Sequence, residues 1–346
     1  MTLSLDRDPA TVLSPNLKLK HIVQSLPKEV FAKDTTQAWL MVIKTIVAVT
    51  LGMAAIAFAP WYLLPLAWVF TGTAMTGCFV IGHDCAHRSF STSRKVNDLV
   101  GHLFMLTLIY PFHGWRYGHN NHHKHTNKMD VDNAWQPWRP EDYKAAPTWL
   151  QVFYQAMRGR LWWLASLPHW ALVHFDWRKF PAGKTRDDVK FSALVVIIGA
   201  AVMFPVVIGT VGVWGFVKFW LLPWLVYHFW MSTFTIVHHT AADIPFTPEG
   251  EWNEAIAQLS GTVHCDYPRW VEFLCHDINV HVPHHISTAI PSYRLRQAHA
   301  IVKENWGEYI KERKFTWEMM KDITDKCHLY EKNEFYQTFR EFDANN

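Results

Sequence analysis

Two blocks of the chain are almost free of charge. Between Met41 and Gly82 the only Lys, Arg, Asp or Glu is Lys44, and between Phe191 and Val237 it is Lys218. A helix needs about 20 apolar residues to cross the hydrocarbon core of a bilayer, so each block is long enough for two crossings. Pro60 and Pro65, around Trp61 and Tyr62, mark a turn inside the first block; Gly209-Thr210-Val211-Gly212 mark one inside the second. The pattern therefore predicts four spans, at about 41–59, 63–82, 191–209 and 216–237. Leu99–Phe112 is also apolar but too short to cross, and reads as a re-entrant or interfacial segment.

The polar stretches complete the plan. Residues 1–40 read as a cytoplasmic N-terminal segment, and 83–190 with 238–346 as a cytoplasmic cap, the Lys- and Glu-rich tail 303–346 being helical. The two hairpin tips, near 60–62 and 210–215, carry no Lys or Arg, while the other polar segments carry nearly all of them. Positive residues stay on the cytoplasmic side, so both termini and the cap are expected there. The fold class is all-α: an integral-membrane protein of two helical hairpins, read as a single domain over residues 1–346.

Composition narrows the function. Charged residues make up only 18% of the chain, below the roughly 25% of ordinary soluble domains. A net charge of +3 offers no electrostatic footprint for nucleic acid. The five cysteines are scattered and form no CxxC pair, which argues against a disulfide framework or a thiolate zinc site. The first residues, MTLSLDRDPA, lack the apolar stretch of a signal peptide, so insertion is expected from internal segments. Histidine is the outlier, with 21 copies.

Eight of these histidines fall into three clusters: His83 and His87; His119, His122 and His123; His281, His284 and His285. Residues three and four apart share one face of a helix, so each cluster presents its imidazoles in one direction. Pro283 permits a helix to start at the third cluster but not a long helix before it. All three lie on the predicted cytoplasmic side. Eight imidazoles exceed what one metal takes, and two metals sharing about nine nitrogens fit better. Imidazole suits Fe, Zn, Cu and Ni alike, so ligand type does not choose the metal. No Glu-x-x-His pair of a soluble carboxylate-bridged di-iron bundle is present.

A ninth nitrogen is sought at the end of the fourth span, where His239 is the choice and His238 the alternative. His276, five residues before His281, is a candidate ligand or outer partner. Asp84 and Asp277 are candidate carboxylates for orienting a ligating imidazole. His228, within the fourth span, is either functional or a hydrogen-bonded packing residue. His21, His102, His113, His125, His169, His174, His264, His299 and His328 read as structural.

The motifs HDCAH, HNNHH and HVPHH at these three places resemble the three histidine boxes of membrane fatty-acid desaturases. Trp214–Thr240, Gly261–His285 and His125–Trp138 are similar to the cyanobacterial acyl-lipid delta-12 desaturases, and the likeness runs from about residue 18 to 335. The resemblance implies two iron ions held by His83, His87, His119, His122, His123, His281, His284 and His285, with a ninth histidine that His239 matches best. Ala86 stands where the first box often has Gly, and Asn120-Asn121 differ from the usual pair in the second; neither is a ligand position.

Removing two hydrogens from unactivated methylenes needs a strong oxidant, which iron with dioxygen supplies. The resemblance implies that an oleoyl chain on a membrane glycerolipid, O2, two electrons and two protons give a linoleoyl chain and water, in a cyanobacterial plasma or thylakoid membrane. The sequence contains no HPGG haem module and no iron–sulfur cysteine set, so an external electron donor is implied, and the resemblance points to ferredoxin. Within the same chemistry, omega-3 or delta-9 regioselectivity and a di-iron hydroxylase are the alternatives. A metal transporter would line its spans with polar residues, whereas here the clusters cap the helices at one end; a bis-histidine haem protein would show a Soret band.

Overall fold

The computed structural model describes residues 13–14, 16–331 and 335–345. The expectation for residues 1–12 lies outside this range. The described residues are mostly helical, with two short strand pairs. Among them, three helical stretches are long and apolar enough to cross a membrane: Thr35–Phe58, Trp61–Ala86 and Lys184–His239.

The first of these starts where Asp34 accepts hydrogen bonds from the backbone N–H groups of Thr36 and Gln37, at 2.9 and 3.1 Å. Such an N-cap contributes about 1 kcal/mol. It ends at Ala59, held extended by the following Pro60. A single 3-10 turn, Trp61–Leu63, leads into the helix Leu64–Ala86, with Pro65 in its first turn. Both helices overrun the spans expected from hydropathy, the second by a full turn to Ala86. Hydropathy stops at the first ionisable side chain, but backbone hydrogen bonding does not.

The third stretch is not one straight rod. Gly212 has φ 74° and ψ 174°, a conformation that only glycine adopts without strain. The Phe204 and Trp220 rings lie 4.8 Å apart; across sixteen residues a continuous helix would separate them by about 24 Å. The chain therefore folds back at Gly212, within the turn expected at 209–212. It returns through a π-helical turn, Val217–Leu221, into the helix Leu222–His239. That last helix lies tightly on Leu64–Ala86: a Cβ on Gly72 would come within 2.4 Å of the Pro223 carbonyl oxygen.

The apolar segment at 99–112 forms the end of an amphipathic helix, Arg94–Leu106, and its exit. Three indoles satisfy the carbonyls at this exit. Trp220, Trp224 and Trp170 donate to Thr107 (3.2 Å), Leu108 (2.7 Å) and Ile109 (2.7 Å). Buried helix-end carbonyls need such partners, and the tryptophans tie this short helix to the apolar bundle. Phe112–Lys124 then carries the second histidine cluster, and His281–Ile286 the third, starting at its first histidine.

The C-terminal tail differs from the all-helical expectation. Val263–Asp266 pairs in parallel with Lys311–Lys314, and Leu329–Glu331 pairs antiparallel with Phe335–Gln337. The alternation in Lys311–Lys314 was masked in the sequence by its four consecutive charged residues.

Candidate metal centre

Four helix ends meet to form the site. His83 sits in the last turn of Leu64–Ala86, and His87 caps that helix. His119, His122 and His123 occupy the last two turns of Phe112–Lys124. His239 ends Leu222–His239, and His281, His284 and His285 form half of one six-residue helix. No one segment supplies the centre; it exists only when the tertiary fold has closed.

The imidazoles gather in two groups. One nitrogen from each of His83, His87, His119, His123 and His284 lies within 4.8 Å of the others, and the same holds for His122, His239 and His285. His281 joins the second group, its Nε2 standing 2.9 Å from His239 Nε2. The Nε2 atoms of His83 and His284 are 3.0 Å apart, those of His119 and His123 2.9 Å, and those of His122 and His239 3.2 Å. Two nitrogens at right angles on an ion, each at about 2.1 Å, would also be about 3 Å apart. The donor set therefore fits a pair of metal ions, five imidazoles around one and four around the other.

The electrostatics suit such ions. Burial, reinforced by neighbouring imidazoles, holds His87, His119, His123, His281, His284 and His285 well below the ordinary imidazole range. Neutral rings keep a lone pair for a metal. Both ring nitrogens of His87 lack a hydrogen-bond partner although buried, as does Nε2 of His285.

Outer partners fix several rings. Asp84 Oδ1 lies 3.2 Å from His83 Nδ1, while its Oδ2 accepts from Ser292 N and Oγ at 3.0 and 2.6 Å. Asp132 Oδ1 lies 2.7 Å from His122 Nδ1, and its Oδ2 accepts from Asn127 N. Gln258 Oε1 lies 2.8 Å from His285 Nδ1. Each contact leaves Nε2 for the centre and strengthens the ring as a donor.

A family model for the fatty acid desaturases matches residues 59–317. The chain belongs to the fatty acid desaturase family. It is 60% identical over 333 residues to a sn-1 oleoyl-lipid 12-desaturase of Anabaena variabilis, covering 96% of this chain and 95% of that one. A sn-1 oleoyl-lipid 12-desaturase of Synechocystis is 57% identical over 324 residues, with 94% and 92% covered. The chloroplastic omega-6 fatty acid desaturase of Brassica napus is 53% identical over 327 residues, with 94% and 73% covered.

In this desaturase the remaining sequence candidates lie elsewhere. His238 turns its Nδ1 to the Val263 carbonyl at 2.7 Å and belongs to neither group, although its ring packs on His281. His276 pairs through Nε2 with Thr45 Oγ1 at 2.7 Å, against the first long helix rather than the centre. Asp277 accepts from Arg296 Nε at 2.7 Å and does not reach a clustered histidine. His276 and Asp277 both have positive φ, 52° and 57°, and this tight turn separates them from the helix that follows. Sequence distance from His281 was a poor guide because the backbone reverses between them.

Asp132 was missed. It lies ten residues beyond His122, and the loop returns through Asn127 and Asp130, both in the left-handed conformation that Asn and Asp tolerate. The Asn and Asp residues of HTNKMDVD were the available signal for such a turn.

Two cavities reach the centre from different sides. One is lined mainly by apolar side chains, among them Phe79, Val80, Trp115, Trp135, Met231 and Phe234, and ends on His83, His119, His122, His239 and His281. The other is polar. It is lined by Arg88, Arg116, Lys124 and Glu254 and reaches His87, His123 and His285.

Proposed function

We propose that this desaturase inserts a cis double bond between C12 and C13 of oleoyl chains at the sn-1 position of membrane glycerolipids, giving linoleoyl chains. The observation that carries the reading is an apolar-walled cavity that reaches five of the clustered imidazoles, in a chain 60% identical to a sn-1 oleoyl-lipid 12-desaturase. The metals are two irons, with His83, His87, His119, His123 and His284 serving one and His122, His239, His281 and His285 the other. Iron with dioxygen supplies the oxidant that can break unactivated C–H bonds.

The protein's own part is geometry and exclusion. The aromatic and aliphatic wall takes the acyl chain out of water and lays it along the histidines, so distance from them selects the bond. Asp84, Asp132 and Gln258 hold their imidazoles in one tautomer and one orientation. The polar cavity is the side from which electrons come. Arg88, Arg116 and Lys124 give it the charge to dock an acidic carrier of the ferredoxin class.

The membrane arrangement we infer has four crossings. The helices on either side of Trp61 and of Gly212 are the two hairpins, both tips lie on the far side, and the histidines and both termini face the cytoplasm. The absence of Lys and Arg from the tips supports this. The side chains of Leu51, Ile198 and Val202 are about 60% exposed, which a lipid-facing surface tolerates and an aqueous one does not.

The test is expression in a host that makes oleate but no linoleate, followed by fatty-acid and lipid-position analysis. Linoleoyl chains at sn-1 are expected. A hydroxy fatty acid, or a double bond elsewhere in the chain, overturns the assignment.

A further inference from the structure

Taking the proposed desaturation as given, each double bond formed consumes one O2, two electrons and two protons. The two hydrogens leaving the chain and the two protons end on the two oxygen atoms, as two waters. Protons must therefore reach the centre and water must leave it. The acyl cavity is a poor medium for either. Its aliphatic lining hydroxyls are already committed: Thr76 donates to the Gly72 carbonyl, Thr235 to the Met231 carbonyl, Ser232 to Ser166, and Ser166 to the His228 carbonyl.

One spot on that wall is different. His174 is 1% exposed, and no side chain partners either of its ring nitrogens. A neutral imidazole carries one donor and one acceptor; the Gly114 backbone can reach one of them, and the other is unmet. Asn133 Oδ1 is likewise buried and unpartnered, while its amide donates to the Gly118 carbonyl at 3.1 Å. The two side chains converge over Gly118. A Cβ on this glycine would lie 3.4 Å from Asn133 Nδ2 and 3.6 Å from His174 Cε1. Gly118 directly precedes His119 and stands one turn before His122.

Buried polar groups left open in this way are where ordered water sits, given two or more partners. A second imidazole adjoins His174. The His174 ring is 4.9 Å from that of His169, which is half-buried and lines the same cavity from the helix Ser166–Val173.

We propose that His174 and Asn133 hold a water over Gly118, and that His169, His174 and this water form the path by which protons enter and product water leaves the metal centre. His174 accepts a proton at one ring nitrogen as it releases one from the other, so it passes protons without keeping charge. The electrons arrive separately, through the polar cavity.

The first measurement needs no turnover. A high-resolution structure of the zinc-substituted protein should contain an ordered oxygen within hydrogen-bonding distance of a His174 ring nitrogen and Asn133 Oδ1. It should vanish in Asn133→Leu. A dry niche in the unaltered protein overturns the proposal, whether or not the chain proves to be a delta-12 enzyme.

The second measurement compares His174→Phe and Asn133→Leu with the unaltered enzyme for iron per chain, O2 consumed per double bond, peroxide released and double-bond position. Iron content and bond position should hold. Double bonds formed per O2 should fall roughly a hundredfold, the low end of what a positioned proton donor contributes, with peroxide making up the difference. Unchanged coupling in both variants contradicts the path, as does a shifted double bond, which would mark these residues as chain-positioning instead. If His174→Phe does not fold, Asn133→Leu carries the comparison.

Discussion

The two ends of the apolar helices are built on opposite rules. At the histidine end, charged and polar groups are buried and partnered: Asp84 by Ser292, Asp132 by Asn127, Asn97 by the Ser91 and Ser93 carbonyls. At the hairpin tips, large apolar side chains such as Phe58, Trp61, Val213 and Trp214 are left exposed. A protein in water would reverse both. The difference shows which forces act where. Exposed apolar tips suit a lipid surround, in which little specific packing would be required. The other end must hold nine imidazoles in place, and does so with carboxylates, caps and an aromatic shelf of Phe79, Trp115 and Tyr227. Changes at the histidine end should therefore remove function without unfolding the protein, and at the tips only a change that strains the backbone should matter, lowering stability and leaving function intact.

The largest effect is expected from His122→Ala or His239→Ala. Each should lower activity by more than about a hundredfold, beyond the usual 10–100-fold cost of losing an outer partner, and remove at least one iron per chain while the protein still inserts. His238→Ala should be milder on both counts, because its ring faces the Val263 carbonyl. Metal analysis of the purified variants with linoleate yield checks this; His238→Ala proving the worse would exchange the two assignments.

Asp132→Asn comes next. It keeps the size but removes the charge that orients His122, so iron affinity should fall about 10–100-fold, read from metal retained against a chelator. Retention equal to the unaltered protein would make Asp132 a loop-closing residue only.

At the other end, Gly212→Ala should cost about 1–3 kcal/mol, since alanine cannot occupy that backbone conformation without strain. Thermal unfolding in detergent should move down, with iron per chain unaffected in the folded fraction. Loss of iron with no loss of stability would break the separation of the two ends.

The smallest effect is expected from Asp277→Asn. Its partner Arg296 is partly exposed, and such pairs contribute about 0–1 kcal/mol. Activity should stay within about twofold, and a large loss would return Asp277 to the metal site.

Much of this was legible in the sequence, for physical reasons. Charge-free blocks had to become apolar helices, and prolines and glycines had to interrupt them. Histidines at i, i+3 and i+4 had to share a face, and two adjacent histidines at the end of the last span could not both turn the same way. Contacts made through irregular backbone were not legible. Asp132 reaches His122 through a loop with two left-handed residues, and Asp277 is turned away by another. Gln258 approaches His285 from a separate helix, and nothing in its spacing announces that. The polar cavity joins residues from five distant segments, and the pairing of Trp170, Trp220 and Trp224 with one helix exit joins three.

The central claim is that the histidine end removes one hydrogen from each of two adjacent methylenes of an oleoyl chain. The most direct measurement supplies oleoyl lipid deuterated at both hydrogens of C12 and of C13 to the enzyme and weighs the product. The account predicts linoleoyl lipid that has lost one deuterium from each carbon, with the label otherwise intact. A product that has lost deuterium from only one of the two carbons and gained oxygen, or one that keeps all of its label with a double bond elsewhere, would contradict it.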